Sequence, residues 1–230
     1  MLKTMRCVIL AGGKGTRLRP YTYLVPKPLL PYKEKPILEH IIEYLKGYGI
    51  KDMIISIGYL GYQIKNYFGD GSQLGVNIEY IVEKEPLGTA GCLNLLRGKL
   101  KETFLLFGGD NITSLDIGKF VKFHKSKGGI MTVALFDFVT KVAWGVYTLN
   151  SDGSIKDFLE KPEYHHNAGT MIFCLEPEVF DFIPKGARHL NLTDDVIPKV
   201  LGAGRKIYGY KFNEQWIDLG NIEDYKKISE

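Results

Sequence analysis

The chain has 230 residues, of which 45% are hydrophobic and 24% are charged. These values are ordinary for a globular protein, and a chain of this length can bury roughly 70% of the surface that its unfolded form exposes. The formal net charge of +4 is too small to indicate a nucleic-acid-binding protein, but it is compatible with a small anionic substrate.

The cysteines and the apolar segments indicate the compartment. Cys7, Cys92 and Cys174 are an odd number of widely spaced cysteines without a C-x-x-C motif, which favours a reducing environment over a disulfide framework. The apolar run near the N-terminus is about five residues long, shorter than a signal peptide requires. No apolar segment approaches the roughly 18–20 residues of a membrane span. We therefore predict a cytoplasmic protein that does not associate with a membrane.

Strand and helix patterns alternate in the first half of the chain. We expect strands at 6–11, 52–58, 76–82 and 103–110, and helices at 36–49, 60–69 and 88–100. This order predicts an α/β fold with a mostly parallel sheet, helices on both faces and right-handed crossovers. Ligands bind outside the carboxyl ends of the strands in such sheets. We therefore expect the glycine-rich loop after the first strand to lie beside Gly108, Gly109 and Asp110 after the fourth.

The second half of the chain is less regular. We expect strands at 130–138, 145–150, 154–161, 168–175 and 205–211, and helices at 177–184, 192–204 and 222–229. The Ser-Asp-Gly run at 151–153 is a tight-turn signal, so 145–161 is expected to form a hairpin. No repeat or low-complexity linker interrupts the chain, and we predict one domain with its two halves meeting near residue 110.

The run "LAGGKGTRLRPYTYLVPKPLLP", residues 10–31, follows directly on the first strand. A glycine loop after a strand exposes backbone N–H groups that can hold phosphate oxygens. The Walker A motif does not fit, because Lys14 lies between Gly13 and Gly15. The dinucleotide motif G-x-G-x-x-G fails at its third glycine, where this chain has Leu18. Neither a P-loop kinase nor a nicotinamide enzyme is therefore indicated.

The complete run resembles the signature of the sugar-1-phosphate nucleotidyltransferases, G-x-G-T-R-L-x-P-x-T-x-x-x-P-K-P-L-x-P, at every fixed position. Later segments agree with this family in kind and order, and they are EPLGTAG (85–91), GGDN (108–111), WGV (144–146), EKP (160–162), NAG (167–169) and WIDLG (216–220). The resemblance covers essentially the whole chain.

The resemblance implies the Rossmann-like nucleotide-diphospho-sugar transferase fold and a single catalytic domain, residues 1–230. Its nucleotide-binding half would be about 1–110 and its sugar-phosphate-binding half about 111–230. Because no hexapeptide repeats follow the core, we expect no appended left-handed β-helix domain.

The reaction that the resemblance implies is NTP + sugar 1-phosphate → NDP-sugar + pyrophosphate. The sugar phosphate is already an anion, so no general base is required, and positioning and electrostatic stabilisation should carry the rate. The implied cofactor is Mg²⁺ and the implied partners are an NTP and a sugar 1-phosphate, with no nucleic acid and no membrane. The sequence leaves open whether the chain forms a homo-oligomer.

The resemblance also implies roles for individual residues. Arg17, Lys27 and Asp110 would be catalytic, with Arg17 stabilising charge and Lys27, between two prolines, contacting the phosphates at the reacting centre. Asp110 and Asp218 would bind the metal. The nucleotide-binding residues would be Leu10, Ala11, Gly12, Gly13, Gly15, Thr16, Glu83, Pro86, Gly88 and Thr89. The sugar-phosphate-binding residues would be Gly145, Glu160, Lys161, Asn167 and Gly169.

Simpler interpretations of several residues stay open at this point. Asp110 alone is also typical of a helix cap, and Asp218 before Leu-Gly also suits a turn. Glu160 and Lys161 could end an exposed hairpin strand. His165 and His166, which are adjacent and lack spaced partners, indicate a solvated loop rather than a metal site.

The substrates are less strongly indicated than the reaction. The form EPLGTAG favours GTP with mannose 1-phosphate or heptose 1-phosphate, and the alternative is dTTP or UTP with glucose 1-phosphate. Trp144 stands where the family more often has tyrosine, which leaves the sugar open. A glycosyltransferase would carry an acid-x-acid motif after a strand, which the Asp-Asn-Ile sequence at 110–112 lacks. A non-catalytic sugar-nucleotide-binding regulatory subunit would be expected to have lost residues such as Arg17 and Asp110.

Overall fold

The structure, a computed structural model, describes residues 2–186, 189–220 and 225. The strands are β1 (Arg6–Ala11), β2 (Pro31–Tyr32), β3 (Lys35–Pro36), β4 (Asp52–Ile57), β5 (Asn77–Val82), β6 (Phe104–Gly108), β7 (Asn111–Thr113), β8 (Met131–Lys141), β9 (Val146–Leu149), β10 (Ile155–Leu159), β11 (Glu163–Leu175), β12 (Ile207–Lys211) and β13 (Trp216–Asp218). The α-helices are α1 (Ile37–Gly47), α2 (Gly61–Phe68), α3 (Gly88–Gly91), α4 (Ile117–Lys127) and α5 (Ile197–Gly202).

The central sheet has seven strands in the order β12-β8-β11-β6-β1-β4-β5. Strands β5, β4, β1 and β6 are parallel to one another, and β12 is parallel to β8. Strand β11 is inserted antiparallel between β6 and β8. The predicted fold class, a mixed and mostly parallel sheet covered on both faces, is confirmed.

The core lies on both faces of the sheet because β1 is buried on both. Cys7 and Ile9 of β1 pack in one hydrophobic cluster with α1, α2 and α4, while Val8 packs in a second cluster. The second cluster is covered by the 88–96 segment, the 3₁₀ turn Pro177–Phe182 and the region of α5. Strand β1, the first apolar strand of the chain, therefore contributes side chains to the core on both faces of the sheet.

Three small sheets surround the central one. Strands β9 and β10 form the predicted hairpin. Strands β7 and β13 pair antiparallel, and so do β2 and β3. The pairing of β7 with β13 was not predicted, because each strand is only three residues long. It brings the 216–220 segment against the end of β6.

Helix α4 was also missed. Its buried residues Ile117, Phe120, Val121 and His124 recur at helical spacing, and Asp116 caps it by accepting a hydrogen bond from the Lys119 backbone N–H at 2.9 Å. The many lysines between these positions obscured the pattern.

The predicted helix at 88–100 was wrong in most of its length. The α-helical part ends at Gly91, and Cys92–Leu96 is a 3₁₀ segment. The cause is tertiary, because the backbone N–H groups of Ala90 and Gly91 donate to the Leu190 carbonyl and hold this turn against another segment.

The ends of other elements also differ from prediction. Strand β11 begins at Glu163 rather than near residue 168, because β8 pairs with it from there onward. The helix expected at 177–184 is a 3₁₀ turn, and the one expected at 192–204 begins as a π-helical turn, Leu192–Val196, before α5. The helix expected at 222–229 lies outside the described residues apart from Tyr225. None of the described helices combines the length and the apolar composition that crossing a bilayer would require.

Candidate active site

The glycine-loop edge, residues 10–17 together with 108–110, lies at the carboxyl ends of β1 and β6. The two strands are parallel neighbours, and Leu10 lies opposite Gly108. The Gly109 N–H donates to the Leu10 carbonyl at 2.9 Å. A Cβ on Gly109 would lie only 2.6 Å from that oxygen, so glycine permits the close approach. The expected meeting of these two segments is confirmed.

The glycine loop has a constrained backbone. Gly15 has a φ of 59°, in the left-handed region, and its carbonyl accepts hydrogen bonds from the Thr22 hydroxyl at 2.8 Å and the Leu18 N–H at 2.9 Å. A Cβ at Gly15 would lie 2.9 Å from the Thr22 methyl group. The backbone conformation of the loop is therefore set by these local hydrogen bonds and by the absence of a side chain at Gly15.

Lys27 lies between Pro26 and Pro28, and its side chain points toward the end of β6. A 3₁₀ turn, Lys27–Leu29, follows Pro26, and Pro28 is buried within it. The Lys27 ammonium forms an ion pair with Asp110 Oδ2. The side chains of Lys27 and Asp110 are only 11% and 28% exposed, so this pair is screened by water much less than a surface pair would be.

Asp110 is not a helix cap. It is followed by strand β7, and the cap of α4 is Asp116. The two carboxylate oxygens of Asp110 have separate partners, since Oδ2 pairs with Lys27 and Oδ1 accepts from the Asn111 side-chain amide at 2.8 Å. The alternative interpretation of Asp110 from the sequence is therefore wrong.

Asp218 reaches the same edge through β13. It lies opposite Asn111 in the β7–β13 pair, and the Leu219 N–H donates to the Asp110 carbonyl at 3.2 Å. Burial and the nearby Asp110 carboxylate raise the pKa of Asp218, while Lys27 and Arg17 act in the opposite direction. The two acids that are far apart in sequence are thus brought together.

Arg17 joins this group from the glycine loop. A Cβ on Gly220 would lie 2.8 Å from both carboxylate oxygens of Asp218 and 3.0 Å from Arg17 Nη2. The guanidinium and the carboxylate therefore approach the same point above Gly220. Two cations and two anions converge within one small region of the cleft.

The donor chemistry of this region fits Mg²⁺. Asp110 and Asp218 offer carboxylate oxygens, and Mg²⁺ is usually held by one or two carboxylates together with substrate phosphates. Across the part of the chain that the structure describes, no three His, Cys, Asp or Glu side chains are grouped to hold an ion by themselves.

Two adjoining cavities open along this edge and share Leu10, Gly13 and Asp110. The first, of about 300 Å³, is lined by Leu10, Gly12, Gly13, Glu83, Pro86, Gly88, Thr89, Gly108, Asp110, Met171 and His189. The second, of about 260 Å³, is lined by Leu10, Ala11, Gly13, Gly15, Thr16, Arg17, Lys27, Pro28, Gly109, Asp110 and Gly220. Every predicted nucleotide-binding residue lines one of the two, and so do the three predicted catalytic residues.

Glu83 presents its carboxylate to the first cavity. Oε1 accepts from the Ser56 hydroxyl at 2.5 Å, and Oε2 accepts from the Leu87 N–H at 2.9 Å. A Cβ on Gly12 would lie 2.5 Å from Oε1. The carboxylate is therefore held at a defined place beside the glycine loop.

Met171 and His189 line the first cavity but were not predicted. Met171 lies on β11, and His189 is brought in by the pairing of the 87–91 segment with Leu190, whose N–H donates to the Leu87 carbonyl at 2.9 Å. Gly88, with a φ of 72°, permits this pairing, because a Cβ there would lie 2.5 Å from the Leu190 carbonyl oxygen. In the sequence near this segment, only Gly88 indicates the contact with Leu190.

The predicted sugar-phosphate residues lie outside both cavities. A Cβ on Gly145 would lie 3.2 Å from Glu160 Oε2, so these two are brought together next to the hairpin. Lys161 has a φ of 45°, which non-glycine residues adopt rarely. Asn167 and Gly169 lie exposed on β11. Glu160 and Lys161 do follow the end of an exposed hairpin strand, and their role stays a prediction.

His165 and His166 lie in the exposed N-terminal part of β11 rather than in a loop, and His165 Nδ1 is 2.7 Å from Asp137 Oδ2. The interpretation of these residues as a loop was wrong.

Curated relatives extend over nearly all of this chain. It is 38% identical over 228 residues to a mannose-1-phosphate guanylyltransferase of Mycobacterium tuberculosis, covering 96% of this chain and 63% of the relative. It is 34% identical over 239 residues to a UTP–glucose-1-phosphate uridylyltransferase of Synechocystis sp., covering 96% of this chain and 61% of the relative. The chain thus spans less than two thirds of the length of these relatives.

A solved structure supports the same relationship. HddC from Yersinia pseudotuberculosis complexed with GMP-PN superposes with a TM-score of 0.73 at 26% identity, covering 98% of both chains. The family model described as "Nucleotidyl transferase" matches residues 6–230. The chain therefore belongs to the nucleotidyl transferase family.

Proposed function

We propose that the protein transfers a nucleotidyl group from an NTP to a sugar 1-phosphate, giving NDP-sugar and pyrophosphate. The observation that carries this proposal is the convergence of Arg17, Lys27, Asp110 and Asp218 on the glycine-loop edge. Cations and paired carboxylates beside a loop of backbone donors suit a reaction between two polyanions. Such a reaction needs charge stabilisation and alignment more than a nucleophilic side chain.

Each group has a distinct part in the proposed reaction. Backbone N–H groups of the glycine loop hold the triphosphate, and the Arg17 fork stabilises charge that develops on the departing pyrophosphate. Lys27 exchanges its contact with Asp110 for a phosphate oxygen at the reacting centre. The sugar phosphate oxygen then attacks the α-phosphorus in line, and pyrophosphate leaves with the electrons of the broken P–O bond.

Asp110 and Asp218 would hold Mg²⁺. When bound, the ion supplies positive charge that offsets the repulsion between the two anionic substrates. Before binding, Lys27 supplies part of that charge to Asp110, so the free protein does not carry two unpaired carboxylates at one place.

We assign the nucleotide to the half formed by about 1–110 and the sugar phosphate to about 111–230. The positions of Glu83, Gly88 and Thr89 in the first cavity support the nucleotide assignment. The proximity of Gly145 to Glu160 supports a common role for these two residues at the sugar.

GTP is the nucleotide that we favour. The Glu83 carboxylate accepts hydrogen bonds but cannot donate them when ionised, and the edge of guanine offers N1–H and N2–H₂ donors. Uracil and thymine offer one N–H between two carbonyl oxygens, which a carboxylate would repel. The guanylyltransferase relative and the HddC complex with GMP-PN agree with GTP. The matched sugar would be mannose or heptose 1-phosphate, and the uridylyltransferase relative supports UTP with glucose 1-phosphate as the alternative.

A matrix of NTPs against sugar 1-phosphates with Mg²⁺, with pyrophosphate release as the readout, tests these assignments. We expect the highest rate with GTP and mannose or heptose 1-phosphate. Release only with UTP or dTTP and glucose 1-phosphate would replace the substrates but keep the reaction. Binding of a sugar nucleotide without release in any combination would show a regulatory subunit instead.

The buried, unpaired thiols of Cys7, Cys92 and Cys174 support our proposal of a cytoplasmic location, where such thiols stay reduced.

A further inference from the structure

Two hydrogen bonds link Trp216 of β13, through Asn111, to Asp110. Trp216 Nε1–H donates to Asn111 Oδ1 at 2.7 Å, and Asn111 Nδ2 donates to Asp110 Oδ1 at 2.8 Å. Asp110 Oδ2 is thereby the oxygen that faces Lys27. We propose that Trp216 and Asn111 are positioning residues, which keep Asp110 turned so that this oxygen meets the cation of the cleft. The inference rests on the proposed function for its effect on catalysis.

The indole fixes which way the Asn111 amide points. An indole N–H is only a donor, and an ionised carboxylate is only an acceptor. If the amide rotated by half a turn, its oxygen would face the Asp110 carboxylate and its NH₂ would face the indole N–H. Both hydrogen bonds would then be replaced by repulsive contacts. Asn111 is 3% exposed, so bulk water offers little compensation.

Packing leaves Asn111 little room for another position. A Cβ on Gly108 would clash with Asn111 Nδ2, which shows that the amide fills the space over that glycine. The amide thus occupies the gap between the end of β6 and Asp110.

Trp216 is itself held by contacts with two strands, β8 and β7. Its ring stacks on Phe136 of β8 with centroids 4.3 Å apart and an interplanar angle of 29°, and its backbone pairs with Thr113. The indole is therefore placed by contacts other than its hydrogen bond to Asn111. This separation makes it possible to remove the hydrogen bond and keep the ring.

The first test uses Trp216→Phe, which keeps a stacking ring but has no N–H donor. Partners that orient a metal-binding carboxylate typically change metal affinity by 10–100-fold when they are removed. We expect the Mg²⁺ concentration for half-maximal pyrophosphate release to rise about tenfold, with a smaller change in kcat at saturating Mg²⁺. The control is Tyr67→Phe, which also removes a donor from an aromatic side chain, but one that bonds to Glu39, and for which the Mg²⁺ requirement should change little.

A double-mutant cycle shows whether Trp216 acts through Asn111. Asn111→Leu should raise the Mg²⁺ requirement at least as much as Trp216→Phe. The double variant should need no more Mg²⁺ than Asn111→Leu alone, because Asn111→Leu already removes the hydrogen bonds that link Trp216 to Asp110. Additive effects, or a Trp216→Phe variant equal to the wild type, would overturn the proposal.

The second test needs no substrate and no metal. The sequence has two tryptophans, so Trp144→Phe leaves Trp216 as the only indole, with one ¹H–¹⁵N signal. In that background, Asp110→Asn removes the carboxylate that orients the Asn111 amide, and the indole N–H signal should move upfield and exchange faster with water. Asp52→Asn, which changes a carboxylate at the amino end of β4, should leave the signal in place.

The two tests separate the inference from the proposed function. If the signal responds to Asp110→Asn in a protein that releases no pyrophosphate, the contact chain stands and the proposed reaction fails. If the protein is active and the signal does not respond, the positioning role is overturned and the reaction stands.

Discussion

The glycine-loop edge and the β9–β10 hairpin are built in different ways. The glycine-loop edge ends two central strands whose residues are almost entirely buried, and hydrogen bonds hold its loop, its lysine and its carboxylates. The hairpin is a separate two-stranded sheet in which every residue of β10 is exposed. Its large apolar side chains Tyr147, Leu149, Ile155 and Phe158 are 44–63% exposed.

This difference has a physical consequence for the proposed reaction. A hairpin alone is marginally stable in water, whereas an arrangement at the end of a buried sheet is fixed by folding. The charges proposed to act on the triphosphate are therefore arranged before substrate binds. The groups proposed to act on the sugar lie on the part of the molecule with fewer supporting contacts.

The largest effect is expected at the glycine-loop edge. Lys27→Ala and Asp110→Asn should each lower kcat/KM by roughly 100-fold or more. The first removes positive charge at the reacting phosphate, and the second removes a carboxylate that we propose holds Mg²⁺. Steady-state pyrophosphate release at varied NTP concentrations measures this change in kcat/KM. Lys141→Ala, which removes an exposed lysine paired with Glu163, is the matched control. A near-wild-type rate for Asp110→Asn would contradict the proposed role of Asp110 in binding Mg²⁺.

Gly88→Ala tests how strongly this edge depends on its backbone contacts. The new Cβ would meet the Leu190 carbonyl oxygen at 2.5 Å, so the 85–91 loop must shift. We expect a loss of about 1–3 kcal/mol in the free energy of unfolding and a higher KM for the NTP.

The matched control for this variant is Gly98→Ala. Gly98 also has a positive φ, of 84°, but no neighbouring atom lies within 4 Å of the position that a Cβ would take there. Equal losses in the two variants would show that backbone strain, and not the contact with Leu190, decides the result.

Glu160→Gln tests the hairpin side of the comparison. If Glu160 binds sugar hydroxyls, the KM for the sugar 1-phosphate should rise about tenfold, with little change in the KM for the NTP. Glu163→Gln, at an exposed glutamate on β11, is the control. An equal rise in both KM values would contradict the division of the cleft into two halves.

The base preference should respond to Glu83. Glu83→Gln replaces one acceptor by a donor, so the ratio of kcat/KM for GTP to that for UTP should fall about tenfold. The ratio is measured with the same sugar 1-phosphate and compared with that of Glu85→Gln, which changes an exposed glutamate of the same loop. An unchanged ratio would remove Glu83 from base recognition.

The smallest effect concerns the scaffold that both regions share. His124 is 1% exposed and lies 2.8 Å from Thr132 Oγ1 and 3.0 Å from Glu176 Oε1. Burial lowers the pKa of His124, although Glu176 opposes the shift. Below about pH 6.5 the unfolded chain takes up a proton that the folded chain resists, so stability falls as the pH drops toward the lowered pKa.

Urea unfolding at several pH values measures this contribution. The difference between the wild type and His124→Gln should shrink as the pH falls below about 6.5, with a slope below about 1.4 kcal/mol per pH unit. A constant difference across that range would show that His124 does not titrate differently in the two states.

Much of the molecule follows from local patterns. The buried strand β1, the helix α1 and the turn of the hairpin each show their periodicity or punctuation within a few residues, because burial and turn geometry act on neighbours in the chain. The meeting of the glycine loop with Asp110 also follows, since parallel strands must place their carboxyl ends at one edge.

Only the tertiary structure decided the other features. The early end of α3, the place of His189 in the first cavity and the hydrogen bond from Trp216 to Asn111 each depend on contacts between segments that are far apart in the chain. Their geometry depends on β7 pairing with β13 and on Leu190 accepting from the 90–91 turn. Apart from Gly88, no local pattern in the sequence carries that information, because a backbone carbonyl or an amide oxygen can accept a bond from any donor that the fold brings near.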